Sequence, residues 1–125
     1  MAGDFDENSS AGITYLGAFA TGASQALLGY GVLGREKGEG LLMALIVREE
    51  FRRRGIGSQL LAAVGDCASY LGFGRLRLRV RRSNVPALAL YKAMSFVQRS
   101  VSRGYYADGE DAFVMTARLP LGGKP

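Results

Sequence analysis

The chain has 125 residues, 48% of them apolar, enough for one folded domain around one hydrophobic core. Its one cysteine, Cys67, excludes an intramolecular disulfide and a cysteine-based zinc site, and the lack of histidine removes the usual general base and the commonest metal ligand. The net charge of +5 is unevenly spread: between Arg48 and Arg103 stand twelve Lys or Arg against three acids, Glu49, Glu50 and Asp66, a balance that suits an anionic ligand and equally a solvated basic face.

No metal is therefore expected, and acid–base chemistry falls to Glu, Asp, Tyr, Cys or water. The longest apolar run, Leu41 to Val47, is too short to cross a bilayer. The acidic start, Met1 to Glu7, has no apolar segment of a secretory signal. A cytoplasmic protein without membrane contact is expected.

Residues 1–11 are polar and small and are expected to be frayed. Ile13 to Phe19 reads as a strand, 21–24 as a turn, and Ala26 to Leu33 as a second, Gly-rich strand. A charged turn over Gly34 to Gly40 is expected next, with Gly at both ends. Leu41 to Val47 reads as a strand buried on both faces. Gly57 to Leu71 predicts a helix, with Leu60, Leu61, Val64, Ala68 and Leu71 on one face, stopped by Gly72-Phe73-Gly74. Arg75 to Arg81 alternates Arg with Leu or Val, a strand with one apolar and one cationic face. Ser83-Asn84 before Pro86 predicts a capped start of a second helix through Met94. Phe96 to Ser102 and Ala112 to Leu119 read as strands, with an Asp108-Gly109 turn between them. Residues 120–125 are expected to be a loop tail. The order β-β-β-α-β-α-β-β implies one α+β domain over residues 1–125 with a mixed, mostly antiparallel sheet and flanking helices.

The junction of the third strand and first helix is the strongest local signal. A strand ends at Val47, and a basic connection leads through Gly55-Ile56-Gly57 into a helix. First-turn amides of a helix lack internal partners and, with the helix dipole, form an anion site. Glycines allow close approach of a phosphate, and Arg52, Arg53 and Arg54 add forked donors. A dinucleotide fingerprint fits poorly, since Leu60 occupies the place of its third Gly. A Walker A loop is absent. A Gly-lined turn with solvated arginines stays open as the plainer reading.

In Arg52-Arg53-Arg54-Gly55-Ile56-Gly57, the chain resembles the GNAT superfamily of N-acetyltransferases, whose cofactor signature is Arg/Gln-x-x-Gly-x-Gly/Ala between a strand and a helix. A second match runs from Val80 through Asn84 and Tyr91 to Phe96. A third, Tyr105 to Ala112, is similar to the end of protein N-terminal acetyltransferases, including the ribosomal-protein alanine type. The resemblance covers about Ile13 to Leu119. It implies acetyl-CoA as cosubstrate, with the backbone of Leu45, Ile46 and Val47 along the pantetheine arm. It implies that residues Arg52 to Ser58, including Ile56, hold the pyrophosphate and that Asn84 bonds the pantetheine. It also implies that Tyr91 lies near the sulfur as the acid for the leaving thiolate, and that Tyr105 and Tyr106 line an acceptor groove. A core role for Tyr91, and a hairpin-tip role for the other two tyrosines, are the plainer alternatives.

The pattern breaks twice. Arg79 stands where many ribosomal-protein acetyltransferases carry a glutamate base, so Glu49, Glu50, Glu110 or a water chain is left to take the proton of an amine acceptor. Glu49 is carried as the candidate base. The family's opening strand and two helices are expected to be missing, an N-terminal shortening that removes much of the acceptor site and would expose a sheet edge, so a homodimer is expected. The function that follows is transfer of acetyl to a primary amine, such as a protein N-terminus or a small molecule, by direct attack. The alternatives are a catalytically impaired acyl-CoA-binding or regulatory module, and a nucleic-acid binder using the arginine strand. The last leaves the other motifs unexplained, so no nucleic-acid partner is expected.

Overall fold

The computed structural model describes residues 2–6 as backbone, and residues 12–22 and 26–122 in full. Seven strands form one sheet in the order β1-β2-β3-β4-β5-β7-β6. They are β1 (Ala2–Asp6), β2 (Thr14–Phe19), β3 (Leu27–Glu36), β4 (Glu39–Val47), β5 (Arg75–Arg81), β6 (Val97–Ser102) and β7 (Ala112–Arg118). Helix α1 (Ile56–Tyr70) follows β4 through a 3-10 turn at Glu49–Phe51, and α2 (Val85–Ala93) follows β5. All neighbouring strands are antiparallel except β4 and β5. The α+β class with a mixed, mostly antiparallel sheet is the architecture observed.

Residues 2–6 correct the expectation of a frayed start, because they pair with β2 from Ala2↔Phe19 to Asp6↔Tyr15. An opening strand is therefore present, and the element order gains one β at its head. The connection from Asp6 to Thr14 leaves no room for two helices. The turn expected over 21–24 lies in part outside the described residues, as does the end of the tail at 123–125. The charged turn expected over Gly34 to Gly40 shrinks to Lys37-Gly38. Both have positive φ, +52° and +79°, the conformation whose twist matches a two-residue hairpin.

The alternation of β5 sorts its side chains as its sequence dictates. Leu76, Leu78 and Val80 are buried, while Arg75, Arg77, Arg79 and Arg81 face the other way. The apolar face meets Leu61, Val64 and Ala68 of α1, and Tyr91 with Phe96 closes the same cluster beside α2. Both helices therefore cover one face of the sheet. Register places Tyr15, Tyr30 and Ile46 together on the opposite face, where they and Met43 remain exposed. This corrects the reading of β4 as buried on both sides: Met43 is 51% and Ile46 45% exposed.

Strand β4 changes partners along its length. Against β5 it pairs only at Gly40↔Leu76, Leu41↔Arg77 and Leu42↔Leu78. Against β3 it stays paired through Gly29↔Val47, with a shift at Leu33↔Leu42 and Val32↔Ala44 that leaves Met43 as an extra residue. Such a bulge bends the strand and raises its twist. Beyond Leu42 the two central strands part, leaving a fork between the end of β4 and the end of β5.

Gly29 fastens the outer side of this fork. A Cβ there would lie 2.4 Å from the Ile46 carbonyl oxygen and 3.1 Å from Val47 Cα, backbone atoms that cannot swing aside. We expect Gly29→Ala to destabilise the fold by about 2 kcal/mol through overpacking, read as a lower midpoint in urea denaturation. An unchanged midpoint would refute the close packing of β3 on β4.

Candidate active site

The fork opens toward the helix that follows β4. Gly55 precedes α1 with φ +76°, a left-handed conformation that favours glycine, and no side chain caps the first-turn amides. The first amide bonded inside the helix is that of Gln59, which donates to the Gly55 carbonyl at 3.1 Å. The amides of Ile56, Gly57 and Ser58 are thus available at the positive end of a helix of 15 residues. Gly57 has no protein reason to lack a side chain: a Cβ would make only ordinary contacts, 3.6 Å to Leu90 and 3.9 Å to Val47. Open space outside this turn is where an anion would press against the backbone.

The three arginines before Gly55 divide their work. Arg52 Nε donates to the Val47 carbonyl at 3.1 Å, tying the loop back to the end of β4. The Arg54 guanidinium lies over the Phe51 ring at 5.7 Å from its centroid. Arg53, exposed and at φ +65°, takes no ion-pair partner among the described residues. The loop from Arg52 to Ser58 is therefore an exposed cationic rim around uncapped amides, next to Leu45, Ile46 and Val47.

Asn84 caps α2 as its sequence dictates: its side-chain oxygen accepts from the Ala87 amide at 3.2 Å, with Pro86 in the first turn. The carboxamide nitrogen stays free to donate elsewhere. About two helical turns later, Tyr91 packs against Phe96, with ring centroids 5.7 Å apart. The Tyr91 ring is buried, and its hydroxyl makes no hydrogen bond among the described residues. Burial pushes the phenol up to about 12, and the Tyr106 phenol acts in the same direction. Tyr91 is a protonated donor throughout the neutral range.

The effect of the Tyr106 phenol on Tyr91 reflects the nearness of the β6–β7 connection to α2. Tyr105 and Tyr106 stack edge to face, 5.0 Å between centroids. Each lies against an arginine of β5: Arg79 under Tyr105 at 5.3 Å, and Arg81 under Tyr106 at 4.1 Å. Carboxylates fold over the same arginines. Glu36 takes two bonds from Arg79, at 2.9 and 3.1 Å, and pairs with Arg77 at 3.0 Å. Arg81 pairs with Asp108 at 2.9 Å and Glu110 at 2.8 Å. The hydrogen bond from Arg79 is the largest influence holding the Glu36 carboxyl below its usual range.

These pairs decide among the carboxylates weighed from the sequence. Glu110 binds the Ser83 amide at 2.9 Å as well as Arg81, and both bonds hold its carboxyl low. Glu50 pairs with Arg48 at 2.8 Å. Glu49 keeps a free carboxylate, in the exposed 3-10 turn at the loop end of β4. No hydrogen bond or ion pair among the described residues joins it to Tyr91, Tyr105 or Tyr106. The sequence reading missed Glu36, which lies outside every motif and reaches Arg79 only because β3 and β5 flank β4.

Comparison with known proteins bears on this geometry. The family model described as Acetyltransferase (GNAT) family matches residues 3–96. The N-alpha-acetyltransferase of Saccharolobus solfataricus is 42% identical over 82 residues, 65% of this chain and 49% of that protein. The [ribosomal protein bS18]-alanine N-acetyltransferase of Salmonella typhimurium is 40% identical over 86 residues, 66% of this chain and 57% of that protein. The chain thus spans about half the length of these curated relatives. Among solved structures, a GNAT family acetyltransferase from Elizabethkingia anophelis with acetyl-CoA bound shares the fold. Its TM-score is 0.77 at 22% identity, over 86% of this chain and 76% of that one.

The Tyr91 environment has a consequence for stability. A phenol with an ordinary value of 10.0 unfolded and about 12 folded contributes stability that is fully present below pH 10 and lost as pH rises through 12. We expect unfolding free energy to fall across about pH 10 to 12, and Tyr91→Phe to flatten part of that fall. Equal pH slopes for the two proteins in chemical denaturation would contradict the burial of this hydroxyl.

Proposed function

The chain belongs to the acetyltransferase (GNAT) family, and on that premise we propose that it binds acetyl-CoA in the fork and transfers the acetyl group to a primary amine. The fork carries this reading. Strand β4 loses its β5 neighbour after Leu42, so among the described residues Leu45 and Ile46 have no strand partner on that side, while the Val47 carbonyl is held by Arg52. An extended pantetheine arm can pair there as an added strand would. Uncapped amides for the pyrophosphate follow β4, and on the helix that follows β5 stands a phenol with no hydrogen bond among the described residues.

The chemistry follows from these positions. The neutral amine attacks the thioester carbonyl carbon directly, and the oxygen gains negative charge. A backbone amide of the Leu45–Val47 segment stabilises it. The C–S bond then breaks and Tyr91 gives its proton to the thiolate, while the proton that the attacking nitrogen now sheds passes through water and restores the phenol; Asn84 holds the pantetheine with its side-chain amide nitrogen. Before attack, the ammonium form must lose a proton. Glu49 is the weighed carboxylate with no ion pair, and its place at the loop end of β4 means that this proton travels through water. The acceptor is a polypeptide N-terminus lying against Tyr105 and Tyr106, a reading supported by the names of the two curated relatives.

One observation favours a second reading, an acyl-CoA-binding module with impaired turnover. Arg79 fills the place of the expected glutamate base and is held by Glu36 on two bonds. The two readings part on turnover with amino-terminal peptides: binding of acetyl-CoA without acetylated product would favour the module.

Two substitutions test the leading reading. Gly57→Glu should abolish CoA binding in calorimetry, because the side chain and its charge would fill the anion site; unchanged affinity would sink the loop assignment. Tyr91→Phe should lower kcat by roughly a hundredfold, at the lower end of the range of general acid catalysis, with little change in KM. An unaffected kcat would remove Tyr91 as the acid. We also propose that the helix-free face bearing Tyr15, Tyr30, Met43 and Ile46 associates with a second copy, so sedimentation should show a dimer and a monomer would count against it.

A further inference from the structure

Arg75 and Arg77 continue the arginine face of β5 away from the fork. With Arg99 of β6, Glu39 of β4 and Thr116 of β7, they line a cleft of about 290 Å³. Its charge is not balanced. Arg77 pairs with Glu36 and with Glu39 at 3.4 Å. Arg75 and Arg99 have no carboxylate partner among the described residues. Around the cleft, four guanidiniums (Arg75, Arg77, Arg79 and Arg99) face two carboxylates (Glu36 and Glu39). Arg99 is aimed rather than splayed: its Nε donates to the Thr116 hydroxyl at 3.0 Å, which fixes the stem and leaves both terminal nitrogens for a ligand. The buried Nε atoms of Arg77 and Arg79 lack hydrogen-bond partners. Arg77 Nε lies 3.0 Å from Glu36, close enough for attraction but without a bond of good direction. The cations that an acceptor from outside the chain can reach are therefore Arg75 and the terminal nitrogens of Arg99, both at the cleft and neither in an ion pair among the described residues.

We propose that this cleft binds an acidic side chain of the polypeptide acceptor. It lies on the same face of β5 as Arg79 and Arg81, which carry Tyr105 and Tyr106. The inference therefore rests on the acetyl-transfer reading for its purpose, though not for its binding chemistry. Successive same-face residues on a strand are about 7 Å apart, and an extended peptide advances about 3.5 Å per residue. An amine at the fork thus sets Asp or Glu within about four residues of it beside Arg75, Arg77 and Arg99. A planar carboxylate matches the forked guanidinium donors. Arg77, already shared between two glutamates, serves as the wall, while Arg75 and Arg99 supply the free charge.

The test measures peptide binding by calorimetry with CoA saturating, so that no reaction is needed. One peptide carries Asp or Glu at positions two to four, and its control carries Asn and Gln there. The acidic peptide should bind about tenfold tighter, in the range of charge-assisted hydrogen bonds. The Arg75→Gln/Arg99→Gln double variant should lose that preference while keeping CoA affinity, and Arg75→Gln alone, which leaves the Arg99–Thr116 bond in place, should lose part of it. Equal binding of the two peptides by the unaltered protein, or a preference kept by the double variant, would overturn the proposal. Loss of turnover with every peptide, alongside an intact acidic preference, would instead fall on the acetyl-transfer reading.

Discussion

The site depends on the parting of β4 from β5 after Leu42↔Leu78. A sheet normally satisfies each interior strand on both sides. Here the bulge at Met43 turns β4 with β3 while β5 stays with β7, so backbone groups at the centre of the domain are left without a sheet partner. Unpaired central backbone is costly unless something from outside completes it. Because β4 and β5 run parallel, the N-terminus of α1 and the start of α2 both lie at the open end of the gap, one after each strand.

Charge arranges the opposite face. Counted along the chain, the middle of the protein is a run of cations with few acids. In space, most of that charge on β5 is answered. Glu36 and Glu39 arrive from the β3–β4 hairpin, and Asp108 and Glu110 from the β6–β7 connection. These pairs are partly exposed, so their worth lies more in orientation than in stability. They fix Arg79 and Arg81 as supports for two tyrosine rings. Among the described residues of this stretch, the loop before α1, Arg75, Lys92, Arg99 and Arg103 have no carboxylate partner.

The two departures from the family pattern look different in three dimensions. The opening strand is present, paired to β2, and only the helices between them lack room. The sheet face without helices shows Tyr15, Tyr30, Met43 and Ile46. At the other departure, Arg79 is not simply a missing base: it is bound to Glu36 and lies under the Tyr105 ring.

Much of this was legible in the residues because it depends on local physics. The alternation of Arg75 to Arg81 defined a strand and both of its faces. Asn84 with Pro86 defined a helix start, and Gly55-Ile56-Gly57 after an apolar run defined an uncapped helix end. Each involves side chains within one turn or one strand, where spacing alone settles geometry. Residues 2–6 were misjudged because a short polar segment becomes a strand only when a neighbour supplies its bonds. Met43 and Ile46 were taken as buried because an apolar run cannot reveal that one face of its sheet lacks a helix. The fork, the pairing of Glu36 with Arg79 and the approach of Tyr106 to Tyr91 join residues from separate elements. The sequence by itself determined most of the elements and the uncapped amides at the start of α1; the packing of the strands and their connections decided which charges meet and where the sheet opens, because those contacts span distances that no local pattern encodes.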